Sequence, residues 1–521
     1  MSKIASSINP TAIADVPSTA GLTTKVLKGS FWTLTGQVIP LLATLISTPL
    51  IIRLLGSEAY GVLILVGLIP AYFSFADFGM NIASTKFGSE AYSQGLPERE
   101  GKVIRTALVI AFLSSITISI PIFLFSGYIT GSLMNVPEHL QFQANVALKI
   151  TAVSFNLGII GGVLNTPQFS RLRMDLSTFI NAGSKLLLAI LTPLVLILGG
   201  RIIAAALASL FIAVLMMTSN LFVSGKLLPQ IYRTTIDKSF FSPLLKFGGG
   251  ILVSGIAGIL LINLEKLFLT RMVSVQSLAY YSVAFTFANM ATMFSVSMVQ
   301  ALIPAFSQLL TPEKRDEFNA LFSRGFRINI LGLLPAVMFL FVVAKPFFTL
   351  WAGPEFGRES SNPFYILLLG LLFSILAFVP HSSITAFGRT DVMAKVYWIE
   401  LVPYILSVIV FIHYFGILGA AMAWTLRVVV DAFVFIYLSK RIIGISFEFV
   451  KDFWKFLIGS IILSPPILYA AFYNNFSFLL IPLVFLSGIF YVGFALRFLV
   501  YSDERSWLEN KVSKILRLKQ I

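Results

Sequence analysis

Long apolar runs separated by short polar turns make up most of this chain. A helix needs about 20 apolar residues to cross the hydrocarbon of a bilayer. Fourteen runs meet that requirement, and the turns between them are rich in Pro, Gly and charge, as in GLPEREGK (95–102) and TPEKRDEF (311–318). The pattern predicts an all-α integral membrane protein. The predicted spans, numbered in chain order, are 29–52, 58–83, 103–126, 142–164, 175–198, 201–223, 244–270, 278–303, 326–349, 362–386, 392–414, 416–438, 453–473 and 477–500.

Lysine and arginine predict the orientation of these spans, because cytoplasmic loops keep an excess of both residues. If the N-terminus is cytoplasmic, the cytoplasmic segments carry 29 of the 38 basic residues, the opposite side carries six and the spans carry three. The C-terminus is then cytoplasmic as well. The excess of Lys and Arg in the cytoplasmic segments accounts for most of the net charge of +15, so the charge does not indicate nucleic-acid binding.

Composition agrees with a membrane protein and argues against several kinds of site. Of 521 residues, 57% are hydrophobic and 12% are charged, too few polar residues to cover a soluble protein of this size. The chain has no cysteine and three separated histidines, so we expect no metal cluster. The longest loop predicted outside the cytoplasm, 127–141, lacks Lys and Arg, and no nucleotide loop or paired-carboxylate motif is present. We expect neither catalysis nor a cofactor.

The chain also repeats itself. FSRLRMDLSTFI (169–180) resembles FGRTDVMAKVYW (387–398), and IIRLLGSEAYGVLIL (51–65) resembles LTRMVSVQSLAYYSV (269–283). Each repeat holds six spans, an even number, so both halves have the same orientation. Transporters built from such halves have a central cavity.

We therefore expect two six-helix pseudo-repeats around a central cavity, followed by two further helices. The predicted segments are a polar cytoplasmic tail (1–28), an N-terminal six-helix bundle (29–223), a cytoplasmic linker (224–243), a C-terminal six-helix bundle (244–438), helices 13 and 14 (439–500) and a basic cytoplasmic tail (501–521).

Three segments resemble a known family: RLLGSEAYG (53–61), ADFGMNIASTKF (76–87) and NLEKLFLTRMVSVQSLAYYSVA (263–284). With them, residues 25–500 resemble the polysaccharide-export branch of the multidrug/oligosaccharidyl-lipid/polysaccharide exporter superfamily, and most of all its Wzx-type O-antigen flippases. That family usually has Asp at the position of Glu265.

The resemblance implies a flippase that moves an undecaprenyl-pyrophosphate-linked oligosaccharide across the bacterial inner membrane. Such a protein serves surface polysaccharide assembly, as for O-antigen and lipopolysaccharide. Its implied partners are membrane lipids, glycosyltransferases and a polysaccharide polymerase.

Two deep basic residues are the first candidates for binding an anionic substrate, since charges within spans normally line a protein interior or a wet cavity. Lys185 lies ten residues into span 5, about 15 Å along the helix. Asn181 shares its face, and no charged residue lies one turn away. Arg427 is equally deep in span 12, but Asp431 follows four residues later, so an intrahelical ion pair is the alternative interpretation.

Three shallower basic residues complete the substrate-binding candidates. Lys149 lies about seven residues into span 4 and can reach the interface. Arg53 and Arg271 occupy matching ends of spans 1 and 7, where anchoring at the boundary is the alternative to facing the mouth of the cavity.

Four acidic residues are candidates for ion coupling or gating, namely Glu265, Asp77, Asp431 and Glu400. Glu265 is favoured for coupling because span 7 carries five glycines and can bend there. Asp77, about 19 residues into span 2, is expected to hold that span against a neighbouring helix through a hydrogen bond, with gating as the alternative.

Two related transporter types remain as alternatives. A peptidoglycan-precursor flippase shares the fourteen spans, but it typically has several arginines in its first two spans, and this chain has only Arg53 there. A multidrug-type antiporter needs acidic groups for cationic substrates and usually has twelve spans. The deep groups here are at least as basic as they are acidic.

The charge bias generates a topology prediction. Reporter fusions after residues 95, 232 and 318 should report a cytoplasmic location, and fusions near 135 and 356 a periplasmic one. Alkaline phosphatase and green fluorescent protein activities measure the two locations. Reversed signals at two or more of these sites would contradict the orientation.

Overall fold

Helices occupy the predicted spans throughout the part of the chain that the structure describes. This computed structural model describes residues 19–307, 309–445, 453–473 and 480–499. Of the predicted tails, residues 1–18 and 501–521 lie outside the described residues. The long helices are α1 (Thr19–Tyr72), α2 (Met80–Ser93), α3 (Pro97–Leu124), α4 (Glu138–Leu164), α5 (Met174–Ile197), α6 (Ile202–Leu227), α7 (Phe241–Met272), α8 (Val275–Ala291), α9 (Met293–Ser307), α10 (Arg315–Ala352), α11 (Ser361–Ala386), α12 (Thr390–Ile443), α13 (Phe453–Leu463), α14 (Pro465–Tyr473) and α15 (Leu480–Phe494).

Short helical turns connect several of these helices. They are Ser74–Asp77, Ser126–Tyr128, Ile129–Leu133, Thr166–Ser170, Pro229–Tyr232, Lys238–Phe240, Pro312–Lys314, Pro354–Glu359 and Ala495–Leu499.

The all-helical membrane fold predicted from the sequence is confirmed. Within the described residues, eight helices are long and apolar enough to cross a membrane. Two of them, Thr35–Ser93 and Thr390–Ile443, each contain two predicted spans and a break in the backbone between them. The count of fourteen spans stays a prediction.

The chain forms two compact units, one up to Ala279 and one from Tyr280 onward. The first unit has an aliphatic core that includes Val62 of α1 and Leu148 of α4, both fully buried. The second unit has an aromatic core in which the Phe306 and Phe318 rings lie 4.7 Å apart. The division into six-helix repeats stays a prediction.

Helix α12 is a hairpin rather than one straight rod. Its backbone leaves the helical conformation at Gly416, where φ is 55° and ψ is −127°. Glycine accepts that positive φ because it has no Cβ. After the turn, Gly419 lies so close to the backbone of Phe411 that any Cβ there would clash. The two arms of α12 therefore run antiparallel and in contact.

Span 2 is shorter than the sequence predicts. We expected a continuous helix over 58–83, but α1 ends at Tyr72 and α2 begins at Met80. Phe78 and Gly79 between them both have positive φ, at 51° and 69°. An apolar run indicates that a segment is buried in lipid or protein. It does not indicate where the backbone leaves the helical conformation, as it does at Phe78 and Gly79.

Asp77 holds this break together. One carboxylate oxygen accepts a hydrogen bond from the Gly79 N–H at 2.9 Å, and the other accepts from the Asn81 N–H at 3.1 Å. These are donors at the start of α2 that have no partner inside the helix. The expected bond from Asp77 to a neighbouring helix is therefore corrected. Asp77 caps the start of α2 within its own segment of chain.

The break packs directly on the start of α7. A Cβ on Gly79 would lie 2.9 Å from the carbonyl oxygen of Gly248, and a Cβ on Gly248 would lie 2.7 Å from the Met80 side chain. About two turns further along α2, the Lys86 ammonium lies 4.3 Å from the centre of the Phe247 ring. Gly79 therefore lets α7 approach the break closely.

This close contact predicts different outcomes for two glycines of α7. Gly248→Ala should lower the thermal stability of the purified protein, because the added methyl group meets the backbone at Phe78 and must displace it, at a cost of about 1–3 kcal/mol. Gly255→Ala is the matched control. Nothing lies within 4 Å of its added Cβ, and alanine favours the helix by up to about 1 kcal/mol. Equal melting temperatures for the two variants would contradict the packing role of Gly248.

Candidate functional site

Ionisable side chains meet inside the α12 hairpin of the second unit. Tyr404 and Arg427 lie at nearly equal distances before and after Gly416, and so do Glu400 and Asp431. The turn therefore sets the register in which the two arms face each other. It brings Glu400 of the first arm to Arg427 and Asp431 of the second arm.

Arg427 and Asp431 form an ion pair within the second arm. The guanidinium Nη1 lies 3.1 Å from Asp431 Oδ2, and the two side chains are only 12% and 13% exposed. The guanidinium also lies 5.5 Å from the centre of the Tyr404 ring on the first arm. A cation over an aromatic face gains further electrostatic stabilisation when it is desolvated. The intrahelical ion pair left open by the sequence is thus present, and the arginine is held by both arms.

Glu400 faces this pair from the first arm and is 7% exposed. The Tyr404–Arg427 and Tyr397–Phe435 contacts fix the register of the two arms, and that register places Glu400 opposite Asp431. As carboxylates both groups only accept hydrogen bonds. Among the described residues, neither carboxyl oxygen of Glu400 receives a hydrogen bond. Asp431 Oδ1 receives none either. The site contains two acidic groups and one basic group, so it carries one excess negative charge when all three are ionised.

Helix α11 contributes a group that the sequence analysis did not select. His381 Nε2 lies 3.2 Å from the Tyr397 hydroxyl of α12, and its ring packs 5.5 Å from that of Phe435. Tyr397 also packs 6.0 Å from Phe435 on the opposite arm. A lone histidine on an apolar span gave no signal. Only the hairpin register and the packing of α11 on it show that His381 borders the acidic site.

In the first unit, Lys185 is exposed on α5 but does not lie on the apolar outer stripe of that helix. Exposed apolar side chains mark this stripe: Phe179, Leu187, Ile190, Leu194 and Ile197. At about 100° per residue, Lys185 lies roughly opposite the centre of the stripe. Asn181 lies one turn before it on the same side. Lys185 is thus exposed on the side of α5 that lies away from the apolar stripe.

Helix α1 has the same two-sided character. Its exposed apolar residues Ile39, Leu42 and Ile46 form one stripe, and the exposed Gln37 and Thr44 lie on the other side. A Cβ on Gly36 would lie 2.6 Å from Thr178 of α5, which places Gln37 within about two turns of Lys185. We call Gln37, Thr44, Asn181 and Lys185 the inner polar face of the first unit.

The three shallower basic residues do not join this face. The Lys149 ammonium lies 5.5 Å from the centre of the Phe123 ring, a half-exposed aromatic side chain. Arg53 is exposed close to the backbone break at Gly56, and Arg271 is exposed at the end of α7. The carbonyl of Arg271 accepts a hydrogen bond from the Asn135 side chain at 3.2 Å. Their assignment to substrate binding stays a prediction.

Glu265 is fully buried inside the first unit. The adjacent Lys266 is 8% exposed and donates a hydrogen bond to Asn263 Oδ1 at 2.7 Å. The Tyr72 hydroxyl donates to the Asn263 carbonyl at 2.5 Å and so ties the end of α1 to α7. Glu265 and Lys266 are therefore part of a packed polar core, and the coupling role of Glu265 stays a prediction.

The first unit also has a cavity of about 660 Å³ beside the Gly56 break. Its polar lining includes Arg201, Gln143 and a contact in which His139 Nε2 lies 3.3 Å from the Glu58 carboxylate. These residues come from separate turns that the sequence does not connect. They were therefore not selected as a group.

Two family models match the chain. Residues 26–310, more than half of it, match the family described as polysaccharide biosynthesis protein. Residues 232–487 match the family of the lipid II flippase MurJ. The putative O-antigen transporter of Shigella flexneri is 23% identical over 428 residues, which are 81% of this chain and 99% of that protein.

Solved structures share the fold. The lipid II flippase MurJ in an inward closed conformation has a TM-score of 0.70 at 15% identity, covering 91% of this chain and 98% of that chain. An inward-facing multidrug resistance MATE family transporter has a TM-score of 0.65 at 14% identity, covering 79% and 98%. At such low identity the likeness establishes the fold and leaves function to the site.

The buried ion pair generates a stability prediction. Arg427→Leu should reduce the amount and melting temperature of the protein, because it leaves Asp431 buried without its counter-charge, at a cost of about 3–5 kcal/mol. Arg427→Leu combined with Asp431→Leu should recover much of the loss, since neither member of the pair is then left without its partner. Arg389→Leu, which breaks an exposed pair with Asp391 on the same helix, is the control and should change stability by less than about 1 kcal/mol. A wild-type melting temperature for Arg427→Leu alone would contradict the pairing.

Proposed function

This chain belongs to the polysaccharide biosynthesis protein family, and on that premise we propose that it flips a lipid-linked oligosaccharide across the bacterial inner membrane. The resemblance that three sequence segments carried is confirmed by the family match over residues 26–310. The substrate that fits this proposal is an undecaprenyl-pyrophosphate-linked repeat unit for surface polysaccharide. The Shigella flexneri relative, which spans 81% of this chain, is named as an O-antigen transporter and supports this substrate class.

The inner polar face of the first unit carries the proposal. A lipid-linked pyrophosphate is a compact anion attached to a polar glycan and an apolar tail. Lys185 supplies a positive charge in the middle of a span, on the side turned away from the apolar stripe. Gln37, Thr44 and Asn181 supply neutral hydrogen-bonding groups of the kind that bind sugar hydroxyls. We assign the pyrophosphate to Lys185 and the first sugar residues to its neutral neighbours.

Transport of this kind needs no covalent step by the protein. Cytoplasmic glycosyltransferases would supply the substrate, and a polymerase on the far side would consume it. The excess of Lys and Arg in the predicted cytoplasmic loops supports an orientation with both termini in the cytoplasm.

A peptidoglycan-precursor flippase is the second candidate, because residues 232–487 match the MurJ family. Both substrates are lipid pyrophosphates, so Lys185 serves either of them. The sugar part separates the two candidates. Genetic complementation of a strain lacking an O-antigen flippase, beside one depleted of its lipid II flippase, decides which substrate the protein moves.

Lys185 yields the prediction that tests this proposal. Lys185→Ala should lower surface polysaccharide in the complemented strain, because a charge-assisted contact of roughly 1.5–3 kcal/mol corresponds to about ten- to a hundredfold slower transport. Lys185→Arg should keep most of the activity. Protein amounts in the membrane should be unchanged, since the side chain is exposed.

Leu187→Ala, on the apolar stripe of the same helix, is the matched control and should transport normally. Wild-type polysaccharide in a strain that carries Lys185→Ala would refute the assignment of the pyrophosphate to this lysine. Failure of the wild-type protein in both complementation strains would refute the flippase proposal itself.

A further inference from the structure

We propose that Glu400 and Asp431 hold one proton between them, and that the protein takes up and releases this proton as a coupling ion. The use of the proton in transport rests on the proposed function. Its binding to the two carboxyl groups does not. The proposal moves the coupling role from Glu265, favoured by the sequence, to the α12 hairpin of the second unit.

The unmet hydrogen bonds define where the proton lies. Asp431 uses Oδ2 for Arg427 at 3.1 Å, while its Oδ1 and both oxygens of Glu400 lack a donor among the described residues. A proton on Glu400 turns that group into a donor, and Asp431 Oδ1 on the opposite arm is an acceptor that still lacks a donor. Asp431 keeps its contact with Arg427 through Oδ2. One proton thus satisfies an atom on each of the two carboxyl groups.

The charge balance requires one added positive charge. A buried carboxylate without a counter-charge is strongly unfavourable, and Arg427 can neutralise only one of the two. Addition of one proton makes Glu400, Asp431 and Arg427 neutral together.

The helices that pack on this site contribute further charged and titratable groups. Helix α12 itself contributes Arg427, Asp431, Tyr397 and Tyr404 around Glu400. Helix α11 contributes His381, which lies within electrostatic reach of Asp431 and beside the Tyr397 hydroxyl. His381 and Tyr397 lie within hydrogen-bonding distance of each other, and both rings pack against Phe435 of the second arm.

The linkage to pH follows from the charges. At lower pH the pair is protonated and the site is neutral, which suits the packed hairpin. Loss of the proton leaves one negative charge in a desolvated site, so the released state favours a conformation in which water or another cation reaches Glu400. Carboxyl protonation and conformation are thereby coupled.

Infrared difference spectroscopy of the full-length protein in lipid nanodiscs tests the proton directly. The wild type should show the carbonyl stretch of a protonated carboxylic acid near neutral pH, and this band should shift when glutamate is isotope-labelled. Glu400→Gln should remove it. Asp391→Asn, which changes an exposed carboxylate near the start of the same helix, should leave it unchanged.

A wild-type spectrum without this band, or a band that survives Glu400→Gln, would overturn the proposal. A band that isotope-labelled glutamate fails to shift would overturn it too, even if the variant does not fold. If His381 carries the proton instead, the wild-type spectrum shows no carboxylic acid band, and the proposal is likewise overturned.

Reconstituted transport tests the coupling separately. In proteoliposomes with a lipid-linked oligosaccharide, a gradient of one pH unit should change the final transbilayer distribution about tenfold for each coupled proton. Glu400→Gln, a neutral mimic of the protonated state, should still exchange substrate without a gradient and lose this response. A wild-type response to a sodium gradient and none to pH would contradict proton coupling. If the infrared band is present but no lipid-linked substrate moves, the proton site stands and the proposed function fails.

Discussion

The bilayer offers no water to backbone groups, so every break in a membrane helix of this protein has to satisfy its own polar atoms. The break after Tyr72 shows how this is done. Asp77 accepts hydrogen bonds from two N–H groups at the start of α2, and Gly79 adopts a conformation that other residues resist. The resulting corner is compact enough to seat against Gly248 of α7. Asp77, a charged residue in an apolar run, thus stabilises the backbone of its own segment.

The same constraint governs the ionisable side chains of the second unit. Gly416 allows α12 to fold back on itself, and the hairpin then presents Glu400 to Asp431 and Tyr404 to Arg427. An ion pair within one helix turn would be a routine way to bury an arginine. Glu400 adds a second carboxyl group, so the ionised site has an excess negative charge that only an added cation can neutralise.

The two units differ in how they expose charge. The first unit presents Lys185 on an open face and buries Glu265 in a polar core. The second unit buries its acidic pair and its arginine in one hairpin. An exposed cation suits an anionic ligand that enters and leaves. A buried acidic pair suits a small ion that is held and released. This difference supports separate roles for substrate and coupling ion within one transporter.

The sequence alone determined the helical membrane fold, because apolar run length and the placement of Lys and Arg are local properties that lipid and the membrane potential act upon. It also selected Lys185, Arg427, Asp431 and Glu400, since charge within an apolar run is costly wherever it lies. Only the tertiary structure decided which of these meet. The reversals at Phe78–Gly79 and at Gly416 depend on backbone angles that hydropathy does not record, and those turns set the cap at Asp77 and the pairing of Glu400 with Asp431. His381 joined the site through packing between helices, a contact that leaves no pattern along the chain.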